Sequence, residues 1–464
     1  MVSLAKVSRF SQQIITAILL AVGLCFTTVP TLAQPKLAWE QVVPQQALTP
    51  EFFSPKEHVL GIRTGEQKHL HGYWRTIVPV VGGKFYSFSI VEETANVTDD
   101  RCAAVQISWE SRRGHAVLRD EEYGKRYAVE TFPDGTEFAW TARPEIPYEK
   151  RTLANGKIER FASFQAPSIA TNAEVQLHLR YCDQASIEWS RFSFKEIEEP
   201  PKQRIKVASI FLPPSESAKS QVDGKVEIFK PYIEEAAEAG ARLVCLPEWF
   251  NKSYSSKSVE VIAEQIPGGI STTFLEGLAN LHDLYIVAGI AECDVDTIYN
   301  TAVLIGPSGY IGKYRKAGLT LREANALGVT PGEHYPVFKT EIGRIGMMIC
   351  YDIYFPEVAQ NLSGNGADII AMPIAGGHPI LAQARAIENQ VYLITSTYSQ
   401  REEWIKTAIF DYDGKMLAFT DKPGSIAIAE IEISPLPKYW AHLGHLKADL
   451  RTQKPVDAKS IRAK

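Results

Sequence analysis

The chain has 464 residues, 45% of them hydrophobic and 22% charged, with a formal net charge of −5. That balance excludes a disordered or low-complexity protein, and the length suggests two or three domains. A mildly acidic chain without a long basic run is a poor match to nucleic acid, so no nucleic-acid partner is expected.

Residues 1–33 differ from everything after them. Lys6 and Arg9 form a basic start, Ile14 to Phe26 is mostly apolar, and Thr31-Leu32-Ala33 precedes Gln34. This is the layout of a signal peptide cleaved after Ala33, so an exported protein, periplasmic or secreted, is expected. The apolar run is short for a membrane span and no later run reaches spanning length, so no span is expected after cleavage. Cleavage leaves 47 Lys and Arg against 54 Asp and Glu, or about −7.

Residues 34–198 alternate apolar and polar positions, as in Tyr73–Val81, Tyr86–Ile90, Ala104–Trp109, Glu174–Tyr181 and Ala185–Trp189. Period two, rich in aromatic and β-branched residues and broken by Gly and Asp turns, predicts an all-β sandwich. The closing run Ser186–Phe194 resembles the last strand of a galactose-binding-like or carbohydrate-binding jelly roll. Trp74, Trp109, Trp140 and Trp189 offer aromatic faces for a sugar ring, but tryptophans in a sandwich more often fill its core. A glycan or protein ligand for this region is left open beside simple packing on the rest of the chain. Cys102 and Cys182 both fall on strand-like segments here, and a disulfide between them is expected.

Glu196 to Lys202 is charged and marked by Pro200 and Pro201, which places a linker at 199–203. Beyond it, from 204 to 440, strands alternate with helices. Strands are expected at Ile205–Leu212, Leu243–Leu246, Tyr285–Ile290, Ala302–Ile305 and Ile345–Ile349, with an amphipathic helix at Val226–Ala239. That order implies a layered α/β domain. Residues 441–464 form a polar tail.

Three stretches in this second region carry chemistry. In the first, the apolar run Leu243–Leu246 stops at Pro247 with Glu248 just beyond. The second is Lys313-Tyr314-Arg315-Lys316. In the third, Ile345–Ile349 ends in Cys350-Tyr351-Asp352, followed by Phe355-Pro356-Glu357. A cysteine at a strand-to-helix elbow is expected to feel the helix N-terminus, which lowers its pKa. A carboxylate, an ammonium and a thiol together suit acyl transfer. The thiol attacks a carbonyl, the carboxylate moves the proton, and the ammonium stabilises the oxyanion.

The order Leu-Pro-Glu, Tyr-Arg-Lys, Ile-Cys-Tyr-Asp with Phe-Pro-Glu, then Arg385-Ala386-Ile387-Glu388-Asn389, resembles the nitrilase or carbon–nitrogen hydrolase superfamily over roughly residues 204–436. The resemblance implies a four-layer αββα sandwich and a homo-oligomer assembled through a helical face. It implies that Glu248 is the general base and Cys350 the nucleophile, with Lys316 and the Tyr351 backbone N–H holding the oxyanion. A second glutamate between lysine and cysteine is implied, for which Glu323 is the candidate and Glu333 the runner-up.

Tyr354, where many relatives carry an arginine, and His378, in the loop Ala375–Pro379, are candidate substrate-binding residues. Gly318 stands where many relatives have a histidine. No metal or organic cofactor is called for. The reaction expected is hydrolysis of a small non-peptide amide through a cysteine thioester. N-acyl transfer, or a glycan- or partner-binding role for a vestigial hydrolase, are the alternatives.

Overall fold

A computed structural model describes residues 37–453, apart from 68, 98–99, 121–128, 132, 134–136, 140–142, 215–225, 253–254, 256 and 440–445. The expected leader 1–33 and Trp140 lie outside the described residues.

Residues 40–197 form an all-β unit with two main antiparallel sheets. One has four strands, with His71–Pro79 and Asn172–Arg180 at its centre. The other has six, with Phe85–Ala95 between Ser186–Ile197 and Ile158–Gln165. Alternate residues point inward, as the burial of Trp74, Thr76 and Val78 along one strand illustrates. Aromatic rings close the gap between the sheets, with Trp109 against Phe194 and Trp74 against Phe52. Trp74, Trp109 and Trp189 are 6%, 2% and 1% exposed, so none of the three presents a face to a sugar. The same interior holds a charged pair, in which Arg160 donates from Nε and Nη2 to Glu92 at 2.6 and 3.1 Å. Its guanidinium also bonds the carbonyls of Pro147 and Ala103, which leaves little of that buried charge unsatisfied.

The Cys102–Cys182 disulfide is present and closes a loop of 80 residues in this unit. Chain-entropy arguments assign such a loop about 4 kcal/mol. Cys102→Ser with Cys182→Ser is therefore expected to lower the unfolding free energy of the β unit by a few kcal/mol. Denaturant melts followed by tryptophan fluorescence check this, because three of the reporting indoles sit in that core. An unmoved midpoint would show that the bond does not constrain the unfolded chain.

From residue 203 onward the chain builds two six-stranded sheets packed face to face. The first runs, edge to edge, through Gly309–Arg315, Thr297–Gly306, Tyr285–Asp294, Ala241–Cys245, Gln203–Phe211 and Ser425–Ile433. The second runs through Val337–Thr340, Gly343–Met347, Ile369–Ile374, Tyr392–Thr397, Thr407–Phe410 and Met416–Thr420. In each sheet the central pairings are parallel, with antiparallel strands outside them. The strands read as unbroken apolar runs because both faces are covered. Val207, Leu243, Cys245, Val287 and Leu304 face the second sheet, whereas Ala208, Val244, Leu246, Ile286 and Val303 face helices Lys230–Glu238 and Ile270–His282. Helices Pro356–Gly364 and Pro379–Asn389 cover the far side of the second sheet. Two hydroxyls tie the sheets across the middle. Ser209 Oγ donates to the Thr395 carbonyl at 2.7 Å, and Ser396 Oγ to that of Ile210 at 2.8 Å. Helix, sheet, sheet, helix is the expected four-layer αββα order.

The β unit and this region share polar contacts. Arg344 Nη1 donates to Glu149 at 2.6 Å while its fork grips Asp368, and Tyr439 bonds Glu145. Of the tail, Leu446–Thr452 is a helix docked on its own chain, where Lys447 Nζ donates to the Ala367 carbonyl at 2.5 Å. That part does not extend away as a free tail.

Candidate active site

Parallel strands end at the same edge of a sheet, and sites in such sheets form beyond their carboxyl ends. Glu248 lies three residues past the strand Ala241–Cys245, and Cys350 three past Gly343–Met347. Pro247 stops regular strand pairing, yet the chain stays fastened to its neighbour. Leu246 N donates to Val287 O at 2.8 Å, and Phe250 N to Gly289 O at 2.7 Å. Gly289 is required there, since a β-carbon would stand 2.7 Å from the Glu248 α-carbon. Glu248 is therefore set by backbone on both sides.

Lys316 follows the edge strand Gly309–Arg315 and is 1% exposed. Its neighbour Arg315 leaves by the other face to pair with Glu292 at 2.7 Å and Asp294 at 2.5 Å. Successive strand residues leave by opposite faces, and of these two the one that turns inward is Lys316. Its Nζ donates to Glu248 Oε1 at 3.0 Å and to both oxygens of Glu323 at 2.9 Å. Glu323 is held by a capping box on the short helix Leu321–Ala326. Thr320 N donates to its Oε2 at 2.9 Å, while its own N–H returns to Thr320 Oγ1 at 3.2 Å. Glu333 is exposed and does not join this cluster.

One partner escaped the sequence reading. Asn300 Nδ2 donates to Oε1 of both Glu248 and Glu323, at 2.8 Å each, and so spaces the two carboxylates. Its strand, Thr297–Gly306, carries no local mark of a site. Burial opposes the Lys316 charge, but Glu248, the Cys350 thiol and Glu323 together hold its pKa well above the ordinary value. Burial likewise pushes the Glu323 carboxyl up, and the Lys316 ammonium more than reverses it.

Cys350 opens a tight turn, Cys350–Tyr354, with φ of 44°. A non-glycine residue in that left-handed region is strained, and the strain persists only where the surroundings enforce it. Here Asp352, fully buried, does so. It accepts from Ile349 N at 2.8 Å, Tyr314 OH at 2.8 Å and Gly318 N at 2.7 Å. Arg385, from the Arg-Ala-Ile-Glu-Asn helix, donates from Nε to the Ile353 carbonyl at 3.1 Å and braces the same turn. Gly318 also has a steric reason, since a β-carbon there would meet the Phe355 ring at 2.7 Å.

The expected lowering of the Cys350 pKa is overturned. The thiol faces a pocket but is packed by protein, and burial followed by the Glu248 charge pushes it up to about 12 against the pull of Lys316. Cys350 opens only the single 3-10 turn Cys350–Tyr354, and the α-helix that follows starts at Pro356, beyond it. Sγ instead lies 3.7 Å from the Gly376 carbonyl oxygen. The resting group is a thiol, and a base must take its proton.

Glu248, Lys316, Glu323, Cys350 and Ala375 line one pocket of about 810 Å³. Tyr351, Tyr354 and His378 are not among its lining residues. The Tyr351 ring lies against those of Tyr354 and Phe355, with centroids 5.2 and 5.5 Å away. Tyr354 is 45% exposed, and His378 is an exposed helix cap whose Nδ1 accepts from Ile380 N at 3.3 Å. Both leave the pocket because the turn after Cys350 and the helix Pro379–Asn389 carry them outward.

The second region is similar in sequence to known proteins. The carbon-nitrogen hydrolase family model matches residues 206–437. A nitrilase of Pyrococcus abyssi is 41% identical over 204 residues, covering 42% of this chain and 75% of that protein. The Homo sapiens omega-amidase NIT2 is 32% identical over 248 residues, covering 48% and 85%. A solved Saccharomyces cerevisiae member of branch 10 of the nitrilase superfamily is 28% identical, covering 55% of this chain and 96% of that one, with a TM-score of 0.43. The matched segment spans both six-stranded sheets and every residue of the pocket cluster, and the chain belongs to the carbon-nitrogen hydrolase family.

Proposed function

We propose that this chain hydrolyses a small non-peptide amide through a thioester on Cys350, outside the cytosol. The observation that carries the reading is the convergence of Glu248, Lys316, Glu323 and Cys350 on one pocket. In this reading Glu248 takes the Cys350 proton as sulfur attacks the carbonyl carbon. Lys316 and the Tyr351 N–H hold the oxygen that becomes negative. The protonated Glu248 then gives its proton to the departing nitrogen, the C–N bond breaks, and an acyl-thioester remains. Glu248 next deprotonates a water that attacks the same carbon. The acid leaves, and the sulfur recovers its proton.

Glu323 acts by position, fixing the Lys316 ammonium between two carboxylates. A raised thiol pKa fits a mechanism in which proton transfer and attack are coupled at Glu248. Export is supported by the Cys102–Cys182 disulfide, since such bonds persist in oxidising compartments.

The test is a panel of small amides, N-carbamoyl compounds and nitriles, offered to the protein and to Cys350→Ala. Release of ammonia or amine by the first and its absence in the second is expected, with an acyl adduct on Cys350 seen by mass. Equal release by Cys350→Ala would sink the thioester route.

A further inference from the structure

The β unit carries a charge that its own packing leaves unanswered. Along Asn172–Arg180, Val175, Leu177 and Leu179 face the core, so Gln176, His178 and Arg180 stand on the outer face of the four-stranded sheet. His71 and Tyr73 are their partners on the next strand, His71 opposite Arg180 and Tyr73 opposite His178. Arg180 is 7% exposed, yet its guanidinium makes one hydrogen bond, from Nε to the Arg101 carbonyl at 3.2 Å. Nη2 is buried without a partner, and among the described residues no carboxylate lies within ion-pair distance. Arg160 in the same unit shows the contrast, since Glu92 and two carbonyls hold that guanidinium. A desolvated charge without a counter-ion is costly unless an anion joins it.

A hydrogen-bonded chain beside Arg180 fixes one free acceptor. Gln176 Nε2 donates to Glu174, which turns its Oε1 toward His178 Nε2 at 2.9 Å. That nitrogen carries the proton, so His178 Nδ1 is bare and accepts from His71 Nε2 at 3.1 Å. Neutral His71 is left with a bare Nδ1, which takes no hydrogen bond among the described residues. Burial and then the Arg180 charge push the pKa of both imidazoles down, so neither adds a charge. Two tyrosine rings stand around the pair. Tyr73 lies against His178 with centroids 4.5 Å apart, and Tyr181 lies 5.0 Å from the Arg180 guanidinium. Tyr181 is 60% exposed, held out by a left-handed backbone (φ of 62°) next to Cys182 of the disulfide.

We propose that this end of the sheet binds a hydroxy acid, its carboxylate on Arg180 and its hydroxyl donating to His71 Nδ1. The two residues are cross-strand neighbours, whose β-carbons stand about 5 Å apart, a span that adjacent carboxylate and hydroxyl groups can bridge. One guanidinium beside two neutral imidazoles calls for a single negative charge, and its fork of N–H groups matches a carboxylate. Tyr73 and Tyr181 supply faces for the carbon skeleton of the ligand. An acidic sugar and a small hydroxy acid share this chemistry. The proposal gives the β unit a binding role of its own and does not rest on the reaction at Cys350.

The test is calorimetric titration of the protein carrying Cys350→Ala, so that turnover does not intrude. Mandelate, which joins a ring, a hydroxyl and a carboxylate, is compared with 1-phenylethane-1,2-diol, which lacks the charge. Glucuronate and glucose form the matching sugar pair. The better of mandelate and glucuronate is expected to bind at least about tenfold tighter than its uncharged counterpart, as a charge-assisted contact implies. Binding of mandelate alone would support a small acid, of glucuronate alone an acidic sugar, and of both the shared chemistry. Binding of neither, or equal binding of the acid and its neutral counterpart, would overturn the proposal.

Two variants then assign the contacts. Arg180→Met is expected to erase the preference for the acid, while the melting midpoint of the ligand-free protein stays or rises, because the charge removed has no counter-ion. A lower midpoint, or a variant that does not fold, would show that the guanidinium is already satisfied by the protein. Acid binding that survives Arg180→Met would place the ligand elsewhere, and each of these results overturns the proposal. His71→Phe keeps a ring but removes Nδ1, and it is expected to weaken the bound hydroxy acid by at least about fivefold. Unchanged affinity in that variant would remove the hydroxyl contact and with it the hydroxy-acid assignment.

Discussion

Glu248→Gln is expected to lower kcat by about a thousandfold, the scale of losing a positioned general base. Glutamine keeps the shape and can still accept from Lys316 and Asn300, which approach the carboxylate at 3.0 and 2.8 Å. It cannot take a proton from a thiol. A second effect runs the other way. The Glu248 charge is one cause of the raised Cys350 pKa, second to burial, so its removal lowers that pKa from about 12. More thiolate is then present at any pH below the midpoint, and alkylation of Cys350 by iodoacetamide is expected to speed up. Its pH midpoint should move down. Slower turnover with faster alkylation separates a proton-transferring carboxylate from one that merely supports the fold, which would slow both. Turnover near the wild-type rate would remove Glu248 from the chemistry.

Lys316→Met is expected to abolish turnover and also to destabilise the protein by about 3 kcal/mol, the usual scale for breaking a buried ion pair. The substitution strips the cation from Glu248 and Glu323, whose Oε1 atoms would still share the Asn300 amide. The loss depends on pH in a defined sense. In the wild type the Glu323 pKa is held below its ordinary 4.5. That depression stabilises the fold above pH 4.5, and the gain is lost as pH falls through the folded-state value. The variant lacks it. Its deficit should therefore be full at neutral pH and shrink as pH falls through and below about 4.5. Urea melts at pH 7 and pH 4 check this. A deficit independent of pH would mean that Lys316 is packed there for its alkyl chain.

Much of the site was legible because it lies in contiguous residues. An apolar run that ends in Pro247-Glu248, and another that ends in Cys350-Tyr351-Asp352, mark strand ends whatever surrounds them. Lys316 was legible from the Tyr-Arg-Lys block, and the buried tryptophans from their place in a sandwich, where such rings more often fill the core. Asn300 could not be read, since one asparagine in an apolar strand says nothing about two carboxylates 52 and 23 residues away. Tyr354 is a candidate because many relatives carry an arginine there, and His378 because of its place in the loop Ala375–Pro379. The turn at Cys350–Tyr354 and the cap before Pro379 send both outward.

The sequence by itself determined where the strands before Glu248 and Cys350 end, the family, and the candidates Glu248, Lys316, Glu323 and Cys350, because apolar periodicity and short motifs are local. Only the tertiary structure decided the burial that raises the Cys350 pKa, the pairing of Lys316 with two glutamates, and the place of Asn300 between them. Those depend on distance and desolvation between segments far apart in the chain, and Coulomb interactions in a buried site follow space rather than sequence.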